Sequence, residues 1–446
     1  MTDLPQAVPN TLRRGACPSL AAPMQTGDGL IVRLRPTAPA LTPGDLVALA
    51  GLAREHGNGL IEITARGNIQ LRGLTDASVP RLAEGLARAG IVPQTGVAIE
   101  TPPLAGVDLS EIADATPVAD ALRQAIAAAS LALAPKLAIV VDGGGVLSLA
   151  GMAADIRLDA VPVAGGAAWC LSAGGDRRTA RGIALLPAGG VIDGAMAAVS
   201  ALALLGPAAR GRDLDAAVLA AQFGAASRPA ALAAFSNHPL GIHRIGGESV
   251  LGVAPAYGQM HAGRLAALAG GLAACGAREF RLAPHRTLLV RGLPEEALAA
   301  AQACADREGF WCTDTAPGRA VSICAGAAGC ASARFDTHAA ADALVAEAGD
   351  LLDGSLDVHI SGCPKGCAHP ARAAVTLCGT AAGVGLVLDG RAGDTPAATL
   401  PAGDLKPAIQ RLGTLLRARR TEGETAKSLL GRTAPAALVS AYQGQR

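Results

Sequence analysis

One stretch of this chain decides its fold, because it occurs twice. Residues 41–74 read LTPGDLVALAGLAREHGNGLIEITARGNIQLRGL, and residues 260–293 read MHAGRLAALAGGLAACGAREFRLAPHRTLLVRGL. Ten of the 34 aligned positions are identical, including the turn glycines Gly57 and Gly276 and the closing Arg-Gly-Leu of each copy. Self-similarity at this scale indicates a duplicated structural unit. The fold is therefore expected to contain two related halves.

Each copy has the pattern of a strand, an amphipathic helix and a second strand. The helices are predicted at residues 44–55 and 263–275, each followed or closed by a glycine, and the strands before them at residues 29–35 and 249–253. After the first helix, apolar and polar residues alternate, which predicts a sheet with one apolar and one polar face. The apolar set is Ile61, Ile63, Ile69 and Leu71, and the polar set is Glu62, Thr64, Asn68, Gln70 and Arg72.

The segments outside the two copies mix short apolar strands with alanine-rich helices broken by Gly and Pro turns. We therefore expect an α+β fold in which two ferredoxin-like half-domains form one pseudo-symmetric unit, accompanied by two α/β domains. The predicted divisions are a first half-domain with an N-terminal arm (1–95), a first α/β domain without the paired cysteines (96–235), a second half-domain (236–305) and a cysteine-rich α/β domain (306–446).

Composition indicates a globular chain and excludes several classes of partner. Of 446 residues, 50% are apolar and 17% charged, so burial can offset the entropy of ordering the chain. A net charge of +1 argues against binding nucleic acid or an anionic membrane surface. No uninterrupted apolar run reaches the ~18 residues of a membrane span, and no secretory signal is visible. A cytoplasmic location is the resulting expectation.

The ten cysteines are unevenly distributed, and seven of them fall between Cys304 and Cys378. Cys324 and Cys330 form a C-x5-C pair, and Cys363 and Cys367 form a C-x3-C pair. Four thiolates meet the ligand demand of a 4Fe-4S cluster. Zinc is the competing metal. The usual spacing of two to four residues between the paired cysteines of a zinc site fits only the second pair. A third alternative is four buried free cysteines.

The sequence around these cysteines resembles the sirohaem-type nitrite and sulfite reductase superfamily. Residues 356–370, LDVHISGCPKGCAHP, are similar to its cluster-binding motif, and residues 64–70, TARGNIQ, are similar to its tetrapyrrole-cradling segment. Arg33 and Arg35 in the first strand and Lys136 extend the resemblance. This resemblance implies a nitrite/sulfite reductase-like fold and a 4Fe-4S cluster held by Cys324, Cys330, Cys363 and Cys367.

Within the superfamily, the chain resembles the precorrin-3B synthase family of aerobic cobalamin biosynthesis. The similar segments are residues 14–20 (RGACPSL), 23–30 (PMQTGDGL) and 238–241 (HPLG). Two departures from the reductases agree with this branch: Ala138 stands where they have a second lysine, and residues 98–101 (AIET) stand where they have an Arg-Asn pair. A sulfite or nitrite site needs dense positive charge to offset desolvation of the anion.

The resemblance implies a reaction in which molecular oxygen hydroxylates precorrin-3A and an acetate arm closes to a lactone. It further implies a mononuclear non-haem iron and NADH as the ultimate electron donor. None of the eight histidines forms a diagnostic iron-binding pattern, and no catalytic residue can be assigned from the sequence. Because no convincing dinucleotide-binding motif is present, a separate electron-donor protein is expected.

The substrate is a tetrapyrrole edged with carboxylates, so several guanidinium or ammonium groups should surround its site. The candidate substrate-binding residues are Arg33, Arg35, Arg66, Asn68, Gln70, Arg72, Lys136, Arg286 and Lys365. Two alternatives remain: a sirohaem-dependent assimilatory sulfite or nitrite reductase, and a non-catalytic iron-sulfur or zinc protein that binds tetrapyrroles for transport.

Overall fold

The computed structural model describes residues 18–223 and 238–444. Its first sheet contains the strands that precede and follow the helix of the first repeat. Thr42 begins the long helix of this unit, because its side chain accepts from the Asp45 N–H while the Asp45 carboxylate accepts from the Thr42 N–H. The strands are all antiparallel, in the order β1-β2-β4-β3. The elements are β1 (Met24–Thr26), β2 (Gly29–Leu34), α1 (Pro43–His56), β3 (Leu60–Ile63), β4 (Ile69–Leu74) and α2 (Ser78–Arg88).

The next segment forms a five-stranded sheet in which the strands lie in chain order. The first three strands are parallel and the last two pairings are antiparallel. The elements are β5 (Ala98–Glu100), α3 (Ala115–Ala129), β6 (Ala138–Asp142), β7 (Ala154–Val163), β8 (Gly166–Gly175), β9 (Arg181–Pro187), α4 (Val191–Leu205) and α5 (Ala216–Ala221).

The second copy of the repeat forms a sheet with the same arrangement of strands as the first, in the order β10-β11-β14-β13. The elements are β10 (Gly241–Ile245), β11 (Glu248–Pro255), β12 (Gln259–His261), α6 (Ala262–Ala274), β13 (Glu279–Ala283), β14 (Thr287–Arg291), α7 (Leu298–Arg307) and β15 (Phe310–Trp311). The short β15 lies beyond residue 305 and pairs with β11, so this sheet includes residues of the fourth predicted segment. The predicted domain boundaries themselves stay predictions.

The last segment forms a sheet with the same topology as the sheet of β5 to β9: two parallel pairings followed by two antiparallel ones. Its elements are β16 (Val321–Ile323), α8 (Gly326–Gly329), α9 (Thr337–Ala348), β17 (Val358–Ser361), β18 (Ala373–Thr380), β19 (Gly383–Gly390), β20 (Ala398–Leu400), α10 (Leu405–Arg419), α11 (Ala426–Arg432) and α12 (Pro435–Gln443).

The two half-units join in one hydrophobic core. β12, from the second half, pairs antiparallel with β3 of the first half, and Leu41 and Phe280 exchange backbone hydrogen bonds of 2.8 and 2.7 Å. Helices α1 and α6 pack against each other over this joint sheet. The predicted alternation is confirmed, because the apolar set is 3% exposed or less: Ile61, Ile63, Ile69 and Leu71. The expected α+β fold, with two half-domains in one pseudo-symmetric unit and two α/β domains, is thereby confirmed.

Among the described residues, one helix is long and apolar enough to span a membrane by length and composition alone. It comprises α4 and the turn before it (Ala188–Leu205). One side of α4 is buried in the core that α3 and the sheet of β5 to β9 provide. The residues on that side, each 3% exposed or less, are Val191, Ala195, Ala198, Val199 and Leu202.

The two α/β domains differ in the loops that follow their first two strands. The cysteine pairs lie after β16 and β17, whereas the loop after β5 contains carboxylates and the loop after β6 is rich in glycine. The Val146 N–H donates to Asp108 Oδ2 at 2.6 Å, and the Ile112 N–H donates to the Gly143 carbonyl at 2.8 Å. In the first α/β domain, one backbone-to-carboxylate and one backbone-to-backbone hydrogen bond therefore connect the two loops whose counterparts carry the paired cysteines in the other domain.

Glu111 in these loops should make stability depend on pH. Burial raises the pKa of Glu111 to about 7, and the charges of Asp108, Asp114 and Asp142 act in the same direction against the N–H of Gly106. The folded state then binds the proton more tightly than the unfolded chain, so the stabilising contribution is full below about pH 4.5 and is lost as the pH rises to about 7.

We expect Glu111→Gln to reduce the fall in the free energy of unfolding between about pH 5 and 7.5, measured by urea denaturation. The control is Glu84→Gln, which removes a carboxylate that is 69% exposed beside Arg88. The control should follow the wild-type profile. An unchanged profile for Glu111→Gln would contradict the raised pKa.

Candidate functional site

The four paired cysteines meet at one edge of the last sheet. Cys324 and Cys330 follow β16, and Cys363 and Cys367 follow β17. Because β16 and β17 are adjacent parallel strands, their carboxyl ends lie at the same edge. The loops are joined directly, since the Gly362 N–H donates to Cys324 Sγ at 3.1 Å. The described cysteines are all free thiols, and Cys367 is exposed.

Burial makes these thiols harder to ionise, and backbone N–H groups partly offset that cost. Burial raises the pKa of Cys324, while the N–H groups of Gly362 and Gly326 oppose that rise by stabilising the thiolate. Burial likewise raises the pKa of Cys363, against the N–H of Lys365. Electrostatic interactions connect Cys324 with Cys363 and Cys367, and Cys363 with Cys330. Removing the four protons would bring four negative charges together, which a cationic cluster can compensate.

The space around Cys330 depends on a glycine from the first half-unit. A Cβ atom at Gly27 would lie 2.5 Å from Cys330 Sγ, and the Ala331 N–H donates to the Gly27 carbonyl at 3.0 Å. The turn between β1 and β2 therefore forms one wall of the cysteine site. Thiols converging from two loops, backbone donors aimed at sulfur and a wall where glycine leaves room for the Cys330 thiol are features that fit an iron-sulfur cluster.

No group of three or more His, Cys, Asp or Glu side chains in the described parts of the chain is arranged to hold a single metal ion. His359, next to the cysteine loop, is fully buried, and both of its ring nitrogens are without a hydrogen-bond partner. Burial, with a further effect of His369, lowers the pKa of His359 to about 4. The Nε2–H of His369 donates to the Arg372 carbonyl at 3.2 Å. The histidines beside the cysteines thus show packing and local bonding, and the iron ligands stay unassigned.

The polar face of the first sheet carries a continuous chain of charged and amide side chains. Arg72 donates two hydrogen bonds of 2.9 Å to Asp28 and one of 3.1 Å to Glu62. Burial opposes the charge of Arg72, but the two carboxylates outweigh it and raise its pKa. Gln70 donates to Glu62 and accepts from Arg33 Nη2 at 3.0 Å. Within the described structure, Arg33, Gln70 and Arg72 are thereby held in one network.

A second network continues the same face toward the first α/β domain. Arg35 Nε donates to Asn68 Oδ1 at 2.9 Å, and its Nη2 forms a short ion pair with Glu100. Arg66 Nη1 lies 3.9 Å from Glu100 Oε1, and Arg66 Nη2 donates to the Ala153 carbonyl at 2.5 Å. The Arg66 side chain is 41% exposed, against 18% for Arg35. The structure therefore brings together Arg35, Arg66 and Asn68, with Arg66 at the open side.

A cleft lies where this network meets the first α/β domain. Its volume is about 910 Å³, including open solvent at its mouth. Burial lowers the pKa of Arg123, one of its lining residues, and the charge of nearby Arg35 acts in the same direction. The charged and polar groups that line the cleft are Arg35, Thr37, Arg66, Gln94, Glu100, Thr101, Thr116, Asp120, Arg123 and Arg281.

In the described part of the chain, three of the predicted binding residues have no hydrogen bond to these two networks and do not line the cleft, although the charge of Glu62 acts on Arg286. Lys136 precedes β6, is half-buried and does not line the cleft. Arg286 has a left-handed backbone (φ 64°) and donates to the Tyr257 carbonyl at 2.6 Å. Lys365 is exposed on the cysteine loop, where its Nζ lies 3.1 Å from Ser332 Oγ. No contact of these three with a tetrapyrrole is tested by the structure, and their roles stay predictions.

Sequence reasoning missed several groups of this face. Glu62 and Asp28 occur in segments with recognisable patterns, yet nothing in those patterns shows that both bind Arg72. The only signal for Glu100 in the sequence is that residues 98–101 replace the Arg-Asn pair of the reductases. Arg123 and Arg281 enter the cleft from α3 and β13, and no signal in the sequence connects them with it.

Comparison with known families supports this architecture. Residues 22–89 match the family described as the nitrite/sulfite reductase ferredoxin-like half domain. The structure of the NirA protein of Mycobacterium tuberculosis superimposes with a TM-score of 0.66, covering 92% of this chain and 84% of that one at 22% identity. This likeness shows a nitrite/sulfite reductase-like fold.

Two curated relatives are similar in sequence. A precorrin-3B synthase from Sinorhizobium sp. is 46% identical over 439 residues, which cover 97% of this chain and 95% of the relative. A chloroplastic ferredoxin–nitrite reductase from Arabidopsis thaliana is 34% identical over 106 residues, which cover 22% of this chain and 18% of the relative. The first similarity spans the half-units and both α/β domains, whereas the second is confined to a part of the chain.

Proposed function

Because the chain belongs to the precorrin-3B synthase family, we propose that it catalyses the oxygen-dependent conversion of precorrin-3A to precorrin-3B in aerobic cobalamin biosynthesis. The observation that carries this proposal is 46% identity to a precorrin-3B synthase along almost the whole chain. In the proposed reaction, one atom of O₂ becomes a hydroxyl on the ring carbon that joins pyrroles A and D, and the other leaves as water. An acetate arm closes to a lactone, and NADH supplies the two electrons.

We further propose that Cys324, Cys330, Cys363 and Cys367 hold a 4Fe-4S cluster. When bound, such a cluster supplies electrons one at a time to the oxygen chemistry. The backbone N–H groups of Gly362 and Gly326 would hold the charge of the Cys324 thiolate in place. A single tetrahedral zinc fits less well, because the usual spacing of two to four residues within a zinc-binding cysteine pair matches Cys363 and Cys367 but not Cys324 and Cys330.

The mononuclear iron that the family resemblance implies has no ligand set among the described residues. We therefore assign it no residues and derive no step through it. An exposed Cys367 with Lys365 beside it suits electron delivery by a separate donor protein at this surface. Free thiols throughout the described chain agree with the reducing cytoplasm, where we place the protein.

The polar face and the cleft would bind the carboxylates of the tetrapyrrole. Arg72 and Arg33 are already engaged by side chains of the protein, so their chief effect is to hold the face rigid. Asn68 and Gln70 fix Arg35 and Arg33 in the same way. Arg66 has the most exposed guanidinium of this face. We assign to Arg66 the first bidentate contact with a substrate carboxylate.

A sirohaem-dependent assimilatory sulfite or nitrite reductase is the second candidate, favoured by the partial match to ferredoxin–nitrite reductase and by the shared fold. The two candidates can be separated with the protein purified under anaerobic conditions. The proposed enzyme should carry iron and sulfide without sirohaem and should consume O₂ with precorrin-3A, giving a hydroxylated lactone by mass spectrometry. Stoichiometric sirohaem with turnover of sulfite or nitrite would establish the reductase instead.

The cluster assignment predicts different results for two cysteine substitutions in the same domain. Cys363→Ser should remove one ligand and bleach the visible absorption, with loss of at least about a quarter of the iron. Cys378→Ser is the matched control, because this cysteine belongs to neither pair and its side chain is fully buried in β18. Its iron and sulfide content should match the wild type. Equal iron content in both variants would refute the assignment.

Arg66→Ala should weaken substrate binding while leaving the cluster intact. Loss of one charge-assisted bidentate contact corresponds to about 1.5–3 kcal/mol, or roughly 10- to 150-fold in affinity. The measurement is the dissociation constant for precorrin-3A, with the visible spectrum recorded in parallel. Arg54→Ala, on the outer part of α1, is a control of the same chemistry. Wild-type affinity in Arg66→Ala would remove this residue from the binding face.

A further inference from the structure

Glu100 places a buried carboxylate between two guanidinium groups of the cleft. It is the last residue of β5, its side chain is 9% exposed, and it contacts Arg35 directly while its Oε1 lies 3.9 Å from Arg66 Nη1. Arg35 cannot turn away easily, because Asn68 accepts from its Nε. A carboxylate with so little exposure is weakly screened by solvent, so its field acts on both arginines.

Without this carboxylate, the cleft would be a site for small oxyanions. Arg35, Arg66 and Arg123 all line it, and dense guanidinium groups are what a sulfate-like ion needs to replace its hydration. The other acidic group of the lining, Asp120, is 56% exposed and pairs with Arg123 on their own helix. Glu100 therefore neutralises the inner part of the cleft, where Asp120 does not reach.

We propose that Glu100 determines the ligand specificity of this cleft by excluding small inorganic oxyanions. Its carboxylate occupies the position from which such an ion would contact Arg35 and Arg66 together. Arg66 remains open toward solvent, so a carboxylate at the end of a flexible arm of a large ligand can reach it without displacing Glu100. The inference rests on the proposed function only in taking the cleft as the tetrapyrrole site.

The test is calorimetric titration of the full-length protein with sulfate, an inert dianion. Glu100→Gln keeps the size of the side chain and an oxygen that can accept from Arg35, but it removes the charge. We expect Glu100→Gln to bind sulfate at least about tenfold more tightly than the wild type. The gain should disappear in the double variant Glu100→Gln with Arg66→Gln, because the added affinity is assigned to the Arg35–Arg66 pair.

Asp120→Asn is the matched control, since it removes the same charge from the solvent side of the same cleft. It should change sulfate affinity by less than about threefold because solvent screens its charge. A folded Glu100→Gln variant with wild-type sulfate affinity would overturn the inference, and so would an equal gain in Asp120→Asn. If Glu100→Gln does not fold, as judged by circular dichroism, Glu100→Ser replaces it in the same titration.

The titration contains no tetrapyrrole, so its outcome is independent of the proposed activity. If Glu100→Gln binds sulfate more tightly but the wild type does not convert precorrin-3A, the inference is supported and the proposed function is refuted. If the wild type converts precorrin-3A but the variant binds sulfate no more tightly than the wild type, the proposed function is supported and the inference is refuted.

Discussion

The parallel pairing of β16 with β17 is the interaction on which the candidate site depends. Its register sets Val321 beside Val358 and Ile323 beside Ile360, so the two strands end within one residue of each other. Two cysteine pairs separated by 32 residues then leave the sheet at the same edge. Their loops are joined there by the Gly362 N–H to Cys324 Sγ hydrogen bond. A shift in this register would move one pair away from the other, and no local feature of either loop could restore the arrangement.

The polar face of the first sheet is subject to a second constraint, which is electrostatic. Buried charges are costly unless they are paired, and this face pairs them internally: Arg72 with Asp28 and Glu62, and Arg35 with Glu100. The pairing makes the face rigid and leaves little net positive charge. A face of this kind suits a large ligand with several carboxylates at fixed positions better than a small concentrated anion.

Much of the fold followed from short-range patterns in the sequence. The duplicated helix and strands, and the alternation from Ile61 to Arg72, can be predicted from the spacing of apolar residues over a few neighbouring positions. The pairing of charges does not: Arg72 and Asp28 are 44 residues apart, and Arg35 and Glu100 are 65 apart. Which carboxylate meets which arginine is decided by tertiary packing. For that reason the sequence could nominate Arg35, Arg66 and Arg72 as ligand contacts, but it could not show that two of them are already engaged.

The strand β12 has a consequence for how this protein can be made. It belongs to the second repeat, yet it completes the first sheet beside β3. During synthesis the first repeat leaves the ribosome with β3 as an unprotected edge, and that edge stays open until residues 259–261 have been translated. Exposed strand edges recruit foreign strands and promote aggregation. The two repeats are therefore not separable modules, and a truncated product ending between them would be a target for chaperones and proteases.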